Sequence, residues 1–326
     1  MTYSLDNANL HRFSLAPMMA WTCPYGRYLM RQLAPNLRLY SEMLVDQSII
    51  HGNCNRLLAH HLDEYPLAFQ LASANPKTLA QSIAALHNHT NSAAIAEINL
   101  NVGCPSSRVQ AGGFGACLMK DPVLLGELIS AMHEKARVPI SVKMRLGVDE
   151  HTGYERLVRL VETLRQNHCN HLILHARTAW LKGLDPKKNR TIPKLDYTMV
   201  HRLKADMPEM RIIINGGLDD VTTCVEQLQH VDGVMIGRAA FANPWLMAEL
   251  NAVLFGTETP SLLVILHKII PFWQESLAQG ARPQEILRSA MNLISGISGA
   301  KLWRTTLTEM AREKKPNFEN LLRIAI

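Results

Sequence analysis

The chain lacks the features that would place it in a membrane or an oxidising compartment. Its six cysteines, at positions 23, 54, 104, 117, 169 and 224, form no CxxC pair and no zinc-finger spacing, so no metal-binding framework is expected. The longest apolar stretch, 262–270, is interrupted by His267 and Lys268 and stopped by Pro271, far short of the ~18–20 residues that span a bilayer. The amino terminus carries neither the charged segment nor the apolar segment of a secretory leader. These absences predict a soluble, cytoplasmic protein with reduced thiols and no membrane partner. No GxGxxG follows the first apolar run, which removes the dinucleotide fingerprint of a doubly wound sheet. The formal charge of +6 permits an anionic partner without requiring one.

What is present has a regular order. At 326 residues the chain exceeds the roughly 250–300 residues of a single core, so one large domain plus a smaller one is expected. Short apolar runs recur at 13–16, 37–40, 67–71, 98–100, 140–144, 171–174, 211–214 and 233–236, with stretches of helical period between them, as at 123–132, 154–164 and 222–228. Eight strand and helix units predict an α/β fold, a (β/α)8 TIM barrel. After about residue 256 the pattern is helical only, so residues 1–256 are expected to be the barrel and 257–326 a helical domain.

The polar residues cluster at the carboxyl ends of these runs, where barrel enzymes place their chemistry. Pro17, Met18 and Met19 follow the first run and Glu42 the second; Gln70 closes the third; Asn101 and Cys104 follow the fourth. Lys143 and Arg145 close the fifth, His175 and Arg177 the sixth, Asn215, Gly216 and Gly217 the seventh, and Gly237 and Arg238 the eighth.

Several of these positions suggest definite chemistry. In the run Asn99-Leu100-Asn101-Val102-Gly103-Cys104-Pro105, Asn101 stands where the strand should stop. Gly103 and Pro105 bracket the thiol in a turn that cannot continue a sheet. A thiol is ordinarily protonated at neutral pH and can act as a general acid; the competing reading is a small buried hydrophobe. Gly216 and Gly217, then Gly237 and Arg238 one strand later, match the phosphate grip after barrel strands seven and eight. Alternation points Lys143 into the mouth, where contact with an electron-rich ring such as the pyrimidine edge of a flavin would explain a buried amine. Gln70 offers that edge both a donor and an acceptor. His175 is either a satisfied core histidine or a ligand contact.

In order and spacing, these motifs resemble the tRNA-dihydrouridine synthase family, in its A-type branch. The resemblance rests on Ala16, Pro17 and Met18; Ser41, Glu42 and Met43; the nine residues 97–105; and Val142 to Arg145. It continues through His175 to Arg177, Ala179 to Leu181, Asn189 and Arg190, Ile214 to Gly217, and Val234 to Arg238. It implies an FMN enzyme that reduces uridine to 5,6-dihydrouridine in tRNA with NADPH, at positions 20 and 20a of the D-loop. Pro17, Met18, Met19, Gln70, Lys143, His175, Asn215, Gly216, Gly217, Gly237 and Arg238 would then hold FMN, with Cys104 as the acid. Asn101, Arg145 and Arg177 would meet the substrate. No protein partner and no metal are implied.

Two basic regions fit an RNA substrate. From Arg177 to Lys194 six cations (177, 182, 187, 188, 190 and 194) face one acid, Asp185; from Ser261 to Ile326 nine cations face five glutamates. Lys187 and Arg190, and Lys301 and Arg304, lie one helical turn apart, a spacing that suits successive phosphates. A charged loop is also commonly plain solvated surface. The family carries acidic residues just after its first motif, where this chain has Ala20 and Cys23. Two alternatives remain: an FMN barrel dehydrogenase of a free pyrimidine or small enone, and a tRNA-binding protein without chemistry.

Overall fold

The computed structural model describes residues 11–90, 95–314 and 316–324. Residues 1–10, where a leader was sought, and Lys315, one of the terminal cations, lie outside the described residues. Eight strands follow one another: β1 (Phe13–Leu15), β2 (Leu39–Val45), β3 (Leu67–Ala72), β4 (Ile95–Val102), β5 (Ile140–Arg145), β6 (His171–His175), β7 (Arg211–Asn215) and β8 (Gly233–Ile236), with helices between them. All pair in parallel, in the order β1-β8-β7-β6-β5-β4-β3-β2. The ring closes just ahead of β2, where Leu15 N–H donates to the Arg38 carbonyl at 2.9 Å and Arg38 N–H to the Phe13 carbonyl at 3.0 Å. The expected (β/α)8 barrel is present.

Strand residues alternate between two environments. Ile98, Leu100 and Val102 of β4, Val142 and Met144 of β5, and Leu172 and Leu174 of β6 join the core between barrel and helices. The alternate positions line the lumen. There Ala16, Tyr40, Ala68, Ile173, Ile213 and Met235 form a separate apolar cluster, and Gln70, Glu97, Asn99 and Ser141 are buried with them.

Two strands run two or more residues past the ends of their apolar runs. β2 extends to Val45 with a register shift between Tyr40 and Met43, so Glu42 lies within it. β4 extends through Asn101 to Val102, because a polar side chain on the inner face has partners there.

Capping side chains start the crossover helices. Asn75 accepts from the N–H groups of Lys77 and Thr78 ahead of Pro76. Asp121 accepts from Leu124 ahead of Pro122, and Asp220 accepts from Thr223. Each satisfies a first-turn donor the helix cannot pair itself.

The helix Trp245–Phe255 ends at Gly256, which is left-handed (φ 65°) and closes it as a C-cap. Helices Leu262–Ala278, Pro283–Leu287, Ala300–Met310 and Glu319–Ile324 follow. The first runs through Pro271 rather than stopping there, because its buried face, including Ile269, Ile270 and Trp273, outweighs one lost backbone bond. This segment packs back on the barrel. Phe272 stacks on Tyr28 at 4.0 Å, Trp245 Nε1 donates to the Leu293 carbonyl at 2.6 Å, and Asn292 Nδ2 donates to the Phe241 carbonyl at 2.8 Å. No described helix is long and apolar enough to cross a membrane.

Candidate active site

The thiol turn is held from below. Asn101 Oδ1, at the end of β4, accepts the N–H groups of Gly103 at 3.2 Å and Cys104 at 3.0 Å. This leaves Cys104 half-buried at the rim, its Sγ 3.6 Å from Ser106 Oγ. The glycine-rich segment passes beneath it: Ala116 N–H donates to the Cys104 carbonyl at 3.0 Å. A side chain on Gly115 (φ 68°) would sit 2.7 Å from that carbonyl, so only glycine fits.

Across the mouth, Lys143 Nζ on β5 donates to Asn215 Oδ1 on β7 at 2.9 Å, and Asn215 Nδ2 donates to the Met235 carbonyl at 2.7 Å. Burial, with help from Arg145, lowers the Lys143 amine to about 7. His175 is driven well below its usual range by burial first and then by Arg145, Lys143, Arg177 and Arg238, so its imidazole is neutral. Gly216 (φ 104°) and Gly217 (φ 71°) form the turn after β7. A Cβ on Gly216 would meet the His175 ring at 2.3 Å, and one on Gly217 would meet Leu195 at 2.4 Å. Tyr197 OH donates to the Gly216 carbonyl at 2.7 Å. Gly237 differs: a Cβ there would find nothing nearer than Ala16 at 3.7 Å and Met18 at 3.8 Å.

Cations crowd this end of the barrel. Among the described residues no carboxylate pairs with Lys143, Arg145, Arg177, Arg190 or Arg238. Partial burial, followed by Arg238, depresses Arg190; partial burial also depresses Arg177, with Arg238 adding to it. Unpaired cations that repel one another make a site for an anion. Arg145, expected at the substrate, is buried and donates to the carbonyls of Gly103, Thr178 and Asn189 at 3.1, 3.2 and 2.9 Å. Its guanidinium braces the loops that frame the mouth.

The basic lip after β6 is an ordered structure. Asn189, fully buried, bonds both the N–H and the carbonyl of Trp180 as well as the Leu184 carbonyl. Asp149, paired with Lys120 at 2.6 Å, accepts the Leu181 N–H. Arg177 donates to the Pro193 carbonyl, and Arg238 Nη2 to the Arg190 carbonyl at 3.4 Å, which brings lip and phosphate grip together. Residues 188–190 coil into a 3-10 turn, and Lys187 and Arg190 are exposed. Lys301 and Arg304 are exposed on the helix Ala300–Met310, away from its buried face of Trp303 and Leu307. Pro17 and Met18 sit partly buried at the end of β1, Met19 is 61% exposed, and Gln70 is buried on β3. Ala20, at one of the departures noted above, is left-handed (φ 65°) and gives its N–H to Glu42.

The sequence carried Asn189 only as a motif residue without a role and did not single out Tyr197, because both act through distant partners. Glu97 and Asn99 likewise entered only as motif residues and Ser141 only as part of the fifth apolar run; the period-two polar pattern 97, 99, 101 within an apolar strand was the available signal for a role.

A parallel (β/α)8 barrel that gathers a double-glycine turn, an amine and a thiol at one mouth has the architecture of the barrel enzymes. The dihydrouridine synthase (Dus) family model matches residues 14–326, and the chain belongs to that family. It is 41% identical over 319 residues to a tRNA-dihydrouridine(20/20a) synthase of Shewanella oneidensis, covering 96% of this chain and 93% of the relative. It is 42% identical to the protein of that name from Synechocystis sp., covering 95% and 92%, and 41% identical to that of Escherichia coli K12, covering 93% and 87%.

Proposed function

We propose that the protein is a tRNA-dihydrouridine synthase that uses FMN and NADPH to reduce uridine to 5,6-dihydrouridine, at the D-loop positions 20 and 20a carried in its relatives' names. The observation that carries this reading is a rim thiol facing, across one barrel mouth, an amine and glycine turns that suit a phosphate-bearing flavin.

The residues present fit FMN. The Gly216 and Gly217 turn exposes backbone N–H groups, Gly237 leaves room for close approach, and Arg238 supplies a bidentate donor for phosphate. Lys143 and Gln70 would hold the polar edge of the ring, with Asn215 orienting the amine and neutral His175 packed against the glycine turn. Pro17, Met18 and Met19 would also help to hold the cofactor. When bound, FMN supplies hydride to uracil C6, renewed from NADPH.

The chain's own part is positional and acid–base. Cys104 gives its proton to C5, and Asn101 fixes both the turn and the base edge. Arg177 faces a substrate carbonyl or phosphate. A uridine inside folded RNA must swing out to reach this depth. Lys187, Arg190, Lys301 and Arg304 hold the surrounding phosphates, with residues 1–256 as the catalytic barrel and 257–326 as an RNA-binding segment. Such a substrate places the enzyme in the cytoplasm.

The test incubates purified protein with NADPH and unmodified tRNA and maps dihydrouridine by position. Product at D-loop positions 20 and 20a is expected. NADPH oxidation supported by a free pyrimidine or enone, with tRNA unchanged, overturns the reading in favour of a small-substrate dehydrogenase.

A further inference from the structure

A one-way chain of hydrogen bonds runs down the barrel lumen from the thiol turn to its floor. Gly103 and Cys104 donate to Asn101 Oδ1. Asn101 Nδ2 donates to Gln70 Oε1 at 2.8 Å, Gln70 Nε2 to Asn99 Oδ1 at 2.7 Å, and Asn99 Nδ2 to Ser141 Oγ at 2.7 Å. The Ser141 hydroxyl donates to Glu97. Asn99, Ser141 and Glu97 are fully buried, and Gln70 nearly so.

The direction is fixed at both ends. The upper end consists of backbone N–H groups, which can only donate. The lower end is an ionised carboxylate, which can only accept. Burial opposes ionisation of Glu97, but His171 and Arg38, with hydrogen bonds from His171 and Ser141, hold it well below the usual carboxylate range. Its oxygens are occupied by Arg38 at 2.5 Å, Tyr40 OH at 2.8 Å, His171 Nδ1 at 3.2 Å and Ser141. Although His11, Glu97 and His171 bring ligand atoms within 4.8 Å of one another, the Arg38 guanidinium already supplies the cation there. Arg38 is also the residue whose backbone closes the barrel, so the chain ends where the barrel is closed.

We infer that Asn99, Ser141 and Glu97 are positioning residues of the reaction, holding Gln70, Asn101 and through them the Cys104 turn in one amide orientation. No link can flip without setting donor against donor, so two side chains facing cofactor and substrate are aligned from the opposite end of the barrel. This inference rests on the functional reading above for the role of Cys104, while the chain itself does not.

The experiment uses Ser141→Ala, which cuts the chain without unpairing Glu97 from Arg38, beside Ser141→Thr, which keeps the hydroxyl. Side-chain amide resonances of Gln70 and Asn101 are recorded on the resting protein, and kcat and KM for tRNA are measured separately. Expected for Ser141→Ala are displaced amide resonances and a kcat lower by roughly ten- to a hundredfold, with KM for tRNA unchanged and Ser141→Thr close to wild type. Unchanged amide resonances with wild-type kcat overturn the inference. A wild-type enzyme that forms no dihydrouridine counts against the functional reading instead, because the resonances report on the chain without any turnover.

Discussion

Lys143 reaches past β6 to Asn215, Nζ to Oδ1 at 2.9 Å, tying β5 to β7 at the height where the glycine turn begins. The contact orients an amine that burial has brought to about 7, so the free protein holds it poised between charged and neutral. An anion arriving at the mouth favours the charged form.

Between about 7 and the ordinary lysine value of 10.5 the unfolded chain keeps a proton at residue 143 that the folded protein releases. Stability of the flavin-free protein therefore rises with pH through that window from this group. Lys143→Met should flatten the gradient and raise stability at pH 6, by an amount on the order of a few kcal/mol, while lowering turnover by about a hundredfold. Urea denaturation at pH 6 and pH 9 checks the slope; an unchanged slope in the variant contradicts the assignment.

The glycines at the phosphate grip should separate by cause. Gly216→Ala meets the His175 ring at 2.3 Å with φ at 104°, so it should lower the melting temperature, the backbone strain alone costing about 1–3 kcal/mol. Gly237→Ala meets nothing nearer than 3.7 Å, so it should lower the melting temperature less than Gly216→Ala does, yet bind FMN at least about tenfold more weakly, as expected where a phosphate meets backbone N–H groups. Thermal melts and flavin titrations read the two effects separately. Full FMN affinity in Gly237→Ala would remove that glycine from the grip.

Affinity for tRNA should fall steeply with salt. Replacing Lys187, Arg190, Lys301 or Arg304 singly with Gln should each reduce the slope of log K against log salt by about 1. Arg202, whose guanidinium lies 3.8 Å from the centre of the Tyr154 ring and near Asp206, serves as the control: Arg202→Gln should leave the slope unchanged. Filter binding across a salt series decides, and a slope unaffected by all four substitutions makes these cations ordinary surface.

The barrel was legible because each strand's outward residues, such as Ile98 and Leu100 or Leu172 and Leu174, must be apolar to meet the helices. The inner face obeys a weaker rule. Asn101 reads as a strand end although β4 continues to Val102, since a lumen position accepts a polar side chain once Gln70 and the turn satisfy it. Lys143 follows from alternation alone, and the structure puts it at the mouth. Arg145 looks equally available in sequence, but its three carbonyl partners come from residues 103, 178 and 189, a convergence that no local pattern records. Asn189 is similar: in sequence it belongs to a basic loop, and in the fold it is the buried centre of the lip.

The central claim is that Cys104 delivers the proton to uracil C5. The most direct measurement compares Cys104→Ala with wild type in two half-reactions: anaerobic flavin reduction by NADPH, and reoxidation by unmodified tRNA with dihydrouridine counted at the D-loop. The account predicts flavin reduction at the wild-type rate and dihydrouridine formation slower by roughly 10²–10⁴-fold. Dihydrouridine formed by Cys104→Ala at the wild-type rate would contradict it.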